Sequence, residues 1–184
     1  MQSDRRAFLR QLLAGGIGLT ALNSYGLSAL DAGELVKLTI LHTNDVHSHI
    51  DPFPANDPKY PNLGGVARRA ALIRKIRSQE THVLLLDAGD IFQGTPYFNY
   101  FGGELELKLM SQMGYDASTI GNHDFDNGLE GLEKQLPHAL FPFICSNYDF
   151  SDTILNNRTL PYKVFQKGPL KIGIFGLGIE LTGL

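Results

Sequence analysis

Three short polar clusters, Asp45-Val46-His47, Gly89-Asp90 and Gly121-Asn122-His123-Asp124, hold residue types that bind divalent cations without a thiolate. Carboxylate oxygens, imidazole nitrogen and the neutral carbonyl oxygen of Asn122 suit Mn2+, Zn2+ or Fe rather than a structural zinc held by cysteines. Such donor sets leave coordination positions open to water. Asp45 and His47 stand two residues apart, and alternate side chains of an extended segment share a side, so the spacing predicts that both reach one ion. Gly89 lets the backbone turn sharply ahead of Asp90, whose two carboxylate oxygens suit it to bridge two ions. One such cluster alone means little.

The weight comes from where the three clusters fall. Apolar runs at 36–41, 83–86, 118–120 and 141–145 alternate with helix-like stretches at 65–78, 104–113 and 129–136, a strand-helix rhythm that predicts an α/β fold. The run Val83-Leu84-Leu85-Leu86 is apolar throughout, as expected of a strand covered on both faces of a parallel or mixed sheet. Each polar cluster sits just past one predicted strand, and functional groups gather at the carboxyl ends of strands in open α/β sheets. Two further runs, 162–165 and 171–175, flank Gly168-Pro169 and predict a terminal antiparallel hairpin. The proline-rich stretch 52–61 predicts a loop. Arg68, Arg69, Arg74, Lys75 and Arg77 on the first helix are taken as a solvated face, the usual place for charged residues.

At these residues the chain resembles the calcineurin-like metallophosphoesterases, whose pattern runs D-x-H, G-D, G-N-H-[DE] and then two later histidine motifs. The wording around the clusters, Leu41-His42-Thr43-Asn44-Asp45-Val46-His47-Ser48-His49, Asp87-Ala88-Gly89-Asp90 and Gly121-Asn122-His123-Asp124-Phe125-Asp126, is similar to the 5'-nucleotidase and UDP-sugar hydrolase branch. Phosphoprotein phosphatases of the superfamily carry G-D-x-x-D-R-G, where this chain has Gly89-Asp90-Ile91-Phe92-Gln93-Gly94. The resemblance implies the first half of an α/β/β/α sandwich with mixed sheets. It implies two divalent metal ions, one held by Asp45 and His47, one by Asn122, with Asp90 bridging them. A metal-bridging water then attacks phosphorus, while His123, oriented by Asp126, faces the phosphate. The implied substrate is a small phosphate ester, a nucleoside 5'-monophosphate foremost. Cyclic nucleotides, UDP-sugars and thiosulfonates remain open, as does a non-catalytic binding subunit. His49 is a lesser candidate for ligand or substrate contact, His42 a neighbour of the site, and His82 and His138 surface or capping residues.

Residues 1–32 stand apart from the domain expected over 33–184. Arg5-Arg6-Ala7-Phe8-Leu9-Arg10 precedes a short apolar stretch, which resembles a twin-arginine signal with cleavage near Ala29 or Ala32. Gly15, Gly16 and Gly18 each weaken a helix there by roughly 1 kcal/mol relative to alanine. A periplasmic or extracellular protein with no stable membrane anchor after cleavage is the expectation. The formal charge of −3 and the absence of a dense basic run after the first residues argue against a nucleic-acid polymer as partner. Cys145 is the single cysteine, flanked by apolar neighbours, and is expected to be buried and structural. No histidine follows His138, so the resemblance leaves the metal site to be completed by a missing C-terminal half or a partner chain. Half of a two-sheet fold is expected to expose an apolar face and strand edges.

Overall fold

A computed structural model describes residues 35–181. The signal-like segment over 1–32 lies outside the described residues. Strands β1 (Thr39–Thr43), β2 (Val83–Asp87) and β3 (Ala117–Ser118) form a parallel sheet in that order, with Thr43 opposite Asp87 and Asp87 opposite Ser118. This register brings the carboxyl ends of all three strands level. The loops that follow them therefore start side by side, and they carry the three polar clusters.

Helices make the crossovers that parallel strands require. Helix α1 (Val66–Gln79) joins β1 to β2 and buries Val66 and Ile73. Helices α2 (Pro96–Phe101) and α3 (Glu104–Met113) join β2 to β3, and α4 (Gly128–Gln135) follows the third cluster. The pattern of α3 is clear in its sequence: Leu107, Met110 and Met113 recur at helical spacing and are buried together, and Gly114 closes the helix in a left-handed conformation. Central strand β2 keeps Leu84 and Leu85 essentially out of water, each contributing about 2 kcal/mol relative to an exposed leucine. Cys145 is buried and free.

One helix was not expected and two expectations need correction. Helix α2 does not show as an apolar pattern, although its punctuation was available: Thr95 precedes Pro96 at the first helical position and Gly102 ends the helix. Residues 141–145 form no strand. Phe143 and Ile144 make only single parallel bridges, to Ser118 and Leu160, in a segment where Pro142 has no N–H to donate. The basic residues of α1 are not one solvated face. Arg77 donates to the carbonyls of Met113 and Gly114 at 2.5 and 2.6 Å, and Arg69 is half-buried.

Strands β4 (Tyr162–Lys167) and β5 (Leu170–Phe175) pair antiparallel about the tight turn at Gly168-Pro169, as expected. Tyr162, Val164 and Phe175 of this hairpin are exposed, as is Ile40 on β1. An apolar cleft of about 320 Å³ runs between the hairpin and the parallel sheet, lined by Ala117, Ile144, Ile174, Phe175 and Leu177 among others. No helix of the described residues is long and apolar enough to cross a membrane.

Candidate metal centre

Beyond β1 the chain does not stay extended. Asp45, His47 and Ser48 adopt φ of 51°, 45° and 53°, and Asp90 in the facing loop adopts 55°. Alternation along a strand, the basis for expecting Asp45 and His47 on one side, is therefore not what unites them. A tight turn does so, held by a backbone ladder between the two loops. The N–H groups of Asp45, His47 and Ser48 donate to the carbonyls of Gly89, Asp90 and Ile91 at 3.0, 3.1 and 2.9 Å. Left-handed backbone at four non-glycine residues costs about 1 kcal/mol or more each, and strain of this kind concentrates at functional sites.

The turn presents three donor atoms to one point. His47 Nε2 lies 3.8 Å from Asp45 Oδ1 and 4.0 Å from Asp90 Oδ2, and all three donors lie within 4.8 Å of one another. Two ligand atoms each about 2.1 Å from an ion sit at most about 4.2 Å apart, so both His47 separations suit a shared cation. His47 Nδ1 lies 3.3 Å from the Phe92 carbonyl, an arrangement in which Nδ1–H donates and Nε2 keeps its lone pair for a metal. Oxygen and nitrogen donors, with no sulfur, fit a divalent ion such as Mn2+, Zn2+ or Fe.

The third loop closes on the same point. Gly89, at φ 92°, leaves no room for a side chain, because a Cβ there would overlap the Gly121 backbone. A Cβ on Gly121 would in turn overlap the Asp90 carboxylate. His123 donates its backbone N–H to Asp90 Oδ1 at 3.0 Å. Asn122, between Gly121 and His123 in the chain, is half-buried. The two Asp90 oxygens thus face different neighbours, Oδ2 towards His47 and Oδ1 towards the third loop. His123 Nδ1 lies 3.1 Å from Asp126 Oδ2, and its ring meets that of His47 edge-on at 5.2 Å between centroids. The Asp126 hydrogen bond raises the His123 pKa, against the smaller opposing effect of burial.

Two acidic residues absent from the expected site hold it together. Asp124, 2% exposed, accepts the backbone N–H groups of Asp90, Ile91, Phe92 and Gly121 at 3.1, 2.8, 3.1 and 2.8 Å. It clamps the second loop to the third. Burial pushes its carboxyl up to about 7, while the amides of Gly121, Phe92 and Ile91 pull the other way. Asp87, at the end of β2, accepts from Thr43 Oγ1 at 2.5 Å, from Ser118 Oγ at 3.1 Å and from the Gly89 N–H at 2.9 Å. Burial raises its pKa too, against these hydrogen bonds. The position of Asp124 inside the G-N-H-D motif was the one available signal. Three of its four partners are backbone amides 32 to 34 residues away, which no residue pattern reveals.

The remaining histidines take other places. His42 lies on β1 and borders the apolar cleft. The His49 ring packs at a tilt against that of Phe53, 4.5 Å between centroids, and borders a second cleft of about 220 Å³ beside Asp45. His138 approaches Glu104 at 3.9 Å, and the His82 carbonyl accepts from the Thr39 N–H at 2.8 Å.

The calcineurin-like phosphoesterase family matches residues 38–175. Snake venom 5'-nucleotidase of Gloydius brevicauda is 43% identical over 178 residues, which are 93% of this chain and 29% of that protein. Among solved structures, the 5'-nucleotidase precursor of Thermus thermophilus superposes with a TM-score of 0.71 at 39% identity, covering 77% of this chain and 28% of that one. The NAD nucleotidase of Haemophilus influenzae gives 0.71 at 36% identity, covering 78% and 26%. The chain thus spans under a third of the length of these relatives.

Proposed function

The chain belongs to the calcineurin-like phosphoesterase family, and from that premise we propose that it forms the metal-binding N-terminal part of an exported hydrolase of phosphate monoesters, nucleoside 5'-monophosphates foremost. The observation that carries this reading is the Asp90 carboxylate, with one oxygen turned to the His47 imidazole and the other to the His123 N–H. A carboxylate so placed would contribute to holding two ions, together with Asp45 and His47 for the first and Asn122 for the second. When bound, two divalent ions supply an acidified water for in-line attack at phosphorus and neutralise the phosphoryl oxygens.

The chain's own residues supply orientation and charge. Asp126 engages Nδ1 of His123, so Nε2 is left to face the phosphoryl group. The raised pKa favours the imidazolium, which donates a hydrogen bond to the charge that develops there. The Asp124 clamp keeps Asp90 and the His123 loop in register as that charge grows. The exposed apolar residues of the hairpin support a domain completed by further polypeptide, in the same chain or a partner. Arg5, Arg6 and the apolar stretch after them support export to the periplasm or beyond.

The test is hydrolysis of AMP with Mn2+ present, by this chain and by a form extended through its downstream coding sequence. Turnover by the extended form that is lost in His123→Ala supports the reading. Turnover confined to a cyclic nucleotide, a UDP-sugar or a thiosulfonate keeps the metal centre and replaces the substrate. A folded, metal-loaded extended form that hydrolyses none of these is a binding subunit, and the hydrolase reading fails.

A further inference from the structure

Behind the ligand turn lies a group of buried polar atoms that the metal chemistry does not use. Ser48 is 1% and Glu106 3% exposed. Ser48 Oγ, both Glu106 carboxylate oxygens and Arg69 Nε are buried with no hydrogen-bond partner among the described residues. All three side chains border one cavity of about 10 Å³, whose other walls include the apolar Val66, Ile91 and Met110. A carboxylate taken out of water without a partner is strongly unfavourable, so an arrangement that leaves four polar atoms idle in one cavity calls for a guest.

We propose that Arg69, Ser48 and Glu106 enclose one water, and that this bridge braces the turn carrying Asp45 and His47. The volume suits a single molecule, for which roughly 10–15 Å³ is needed. The donor count suits it as well. Arg69 Nε–H and Ser48 O–H each donate to the water oxygen, and the water donates to a Glu106 oxygen, so each group gains a partner. A metal cation is the poorer guest, because the Arg69 side chain brings a positive charge to the same cavity. The bridge joins three elements. Arg69 lies in the first turn of α1, Glu106 in the first turn of α3, and Ser48 follows His47 directly. Ser48 is also fixed through its backbone, donating to the Ile91 carbonyl at 2.9 Å and accepting from Thr95 Oγ1 at 2.8 Å. Arg69 and Glu106 are thus positioning residues, acting on the metal ligands through Ser48 and its turn.

The experiment is a double-mutant cycle on the full chain with Arg69→Leu, Glu106→Leu and both together. Arg69→Leu leaves the buried Glu106 carboxylate, and Glu106→Leu the buried Arg69 Nε–H, without its bridge, and each is expected to lower the thermal midpoint by roughly 10 °C, while the double stays near the parent. Additive losses overturn the bridge. Failure of the singles to fold, with a folded double, upholds it. The bracing role rests on the metal reading and has its own readout, Mn2+ affinity by electron paramagnetic resonance. Glu106→Gln keeps an acceptor for the water and should bind Mn2+ like the parent, whereas Glu106→Leu should bind about tenfold more weakly. Equal weakening in both overturns the bracing. A parent that binds no Mn2+ removes the metal reading instead, and the thermal cycle still decides the bridge.

Discussion

Asp124 turns its carboxylate to the backbone N–H of Asp90, 3.1 Å away, and with three further amides of the two loops makes a four-point clamp. An acidic side chain thus holds another acidic residue in place without meeting its charge. Asp124→Asn keeps the size but puts an N–H2 group where amides donate. We expect a loss of roughly 3 kcal/mol in stability, from donors left unpaired, measured as the urea midpoint. Mn2+ binding weakens with it.

Gly121→Ala isolates the geometry of the ligand from its chemistry. The added methyl overlaps the Asp90 carboxylate and backbone, so Asp90 has to move although no donor is removed. Mn2+ affinity should fall at least tenfold. Gly173→Ala, where a Cβ meets nothing within 4 Å, is the control and should leave it unchanged. Equal affinities in the two variants would refute the placement of Asp90 in the site.

For the extended, active form, His123→Ala should lower kcat by about 10²- to 10⁴-fold with little change in KM, the pattern of a group that acts on the transition state. Asp126→Asn should do less. Since the Asp126 hydrogen bond raises the His123 pKa, its loss brings deprotonation to lower pH, and the alkaline limb of kcat/KM shifts down. A limb that stays in place would assign the titration to another group.

Chelation tests whether metal relaxes the strained turn. Bound ions stabilise only the folded chain, by about 2.7 kcal/mol at a hundredfold excess over Kd. Thermal scans with and without EDTA should therefore separate for the parent and coincide for a variant lacking both His47 and Asp90.

Stability in the metal-free chain carries a pH signature from Asp87. Its folded pKa is raised above the ordinary 3.8 because burial outweighs its hydrogen bonds to Thr43, Gly89 and Ser118. A raised folded pKa means that the folded state binds more protons. The contribution to stability is full below 3.8 and is lost as pH rises through the folded value. Urea midpoints should thus fall from about pH 4 upwards, with Asp124, pushed up to about 7, adding to the decline in the same direction, and Asp87→Asn should make it shallower while the Asp124 part remains.

The rhythm of strands and helices was legible because burial imposes periodicity. Leu107, Met110 and Met113 mark α3 at helical spacing, and Val83 to Leu86 mark a strand covered on both faces. The candidate site residues stood out for another reason. Metal chemistry demands particular side chains, and Asp45, His47, Asp90, Asn122, His123 and Asp126 stand in short motifs just after the strands. Helix α2 escaped because six residues are too few to show a period, and residues 141–145 misled because an apolar run does not say whether its backbone is paired.

What the sequence alone determined, then, was which groups are available and that each cluster follows a strand, at the end where an open α/β sheet gathers its functional groups. The tertiary structure decided how they meet. Asp45 and His47 converge through left-handed backbone, locked by amides donated to residues 89–91, and Asp90 is seated by Asp124 across 34 positions of chain. Arg69 and Glu106, two unrelated charges along the chain, come to border one buried cavity. These are pairings between distant segments, set by packing and by the need of buried polar groups for partners, and local residue types do not encode them.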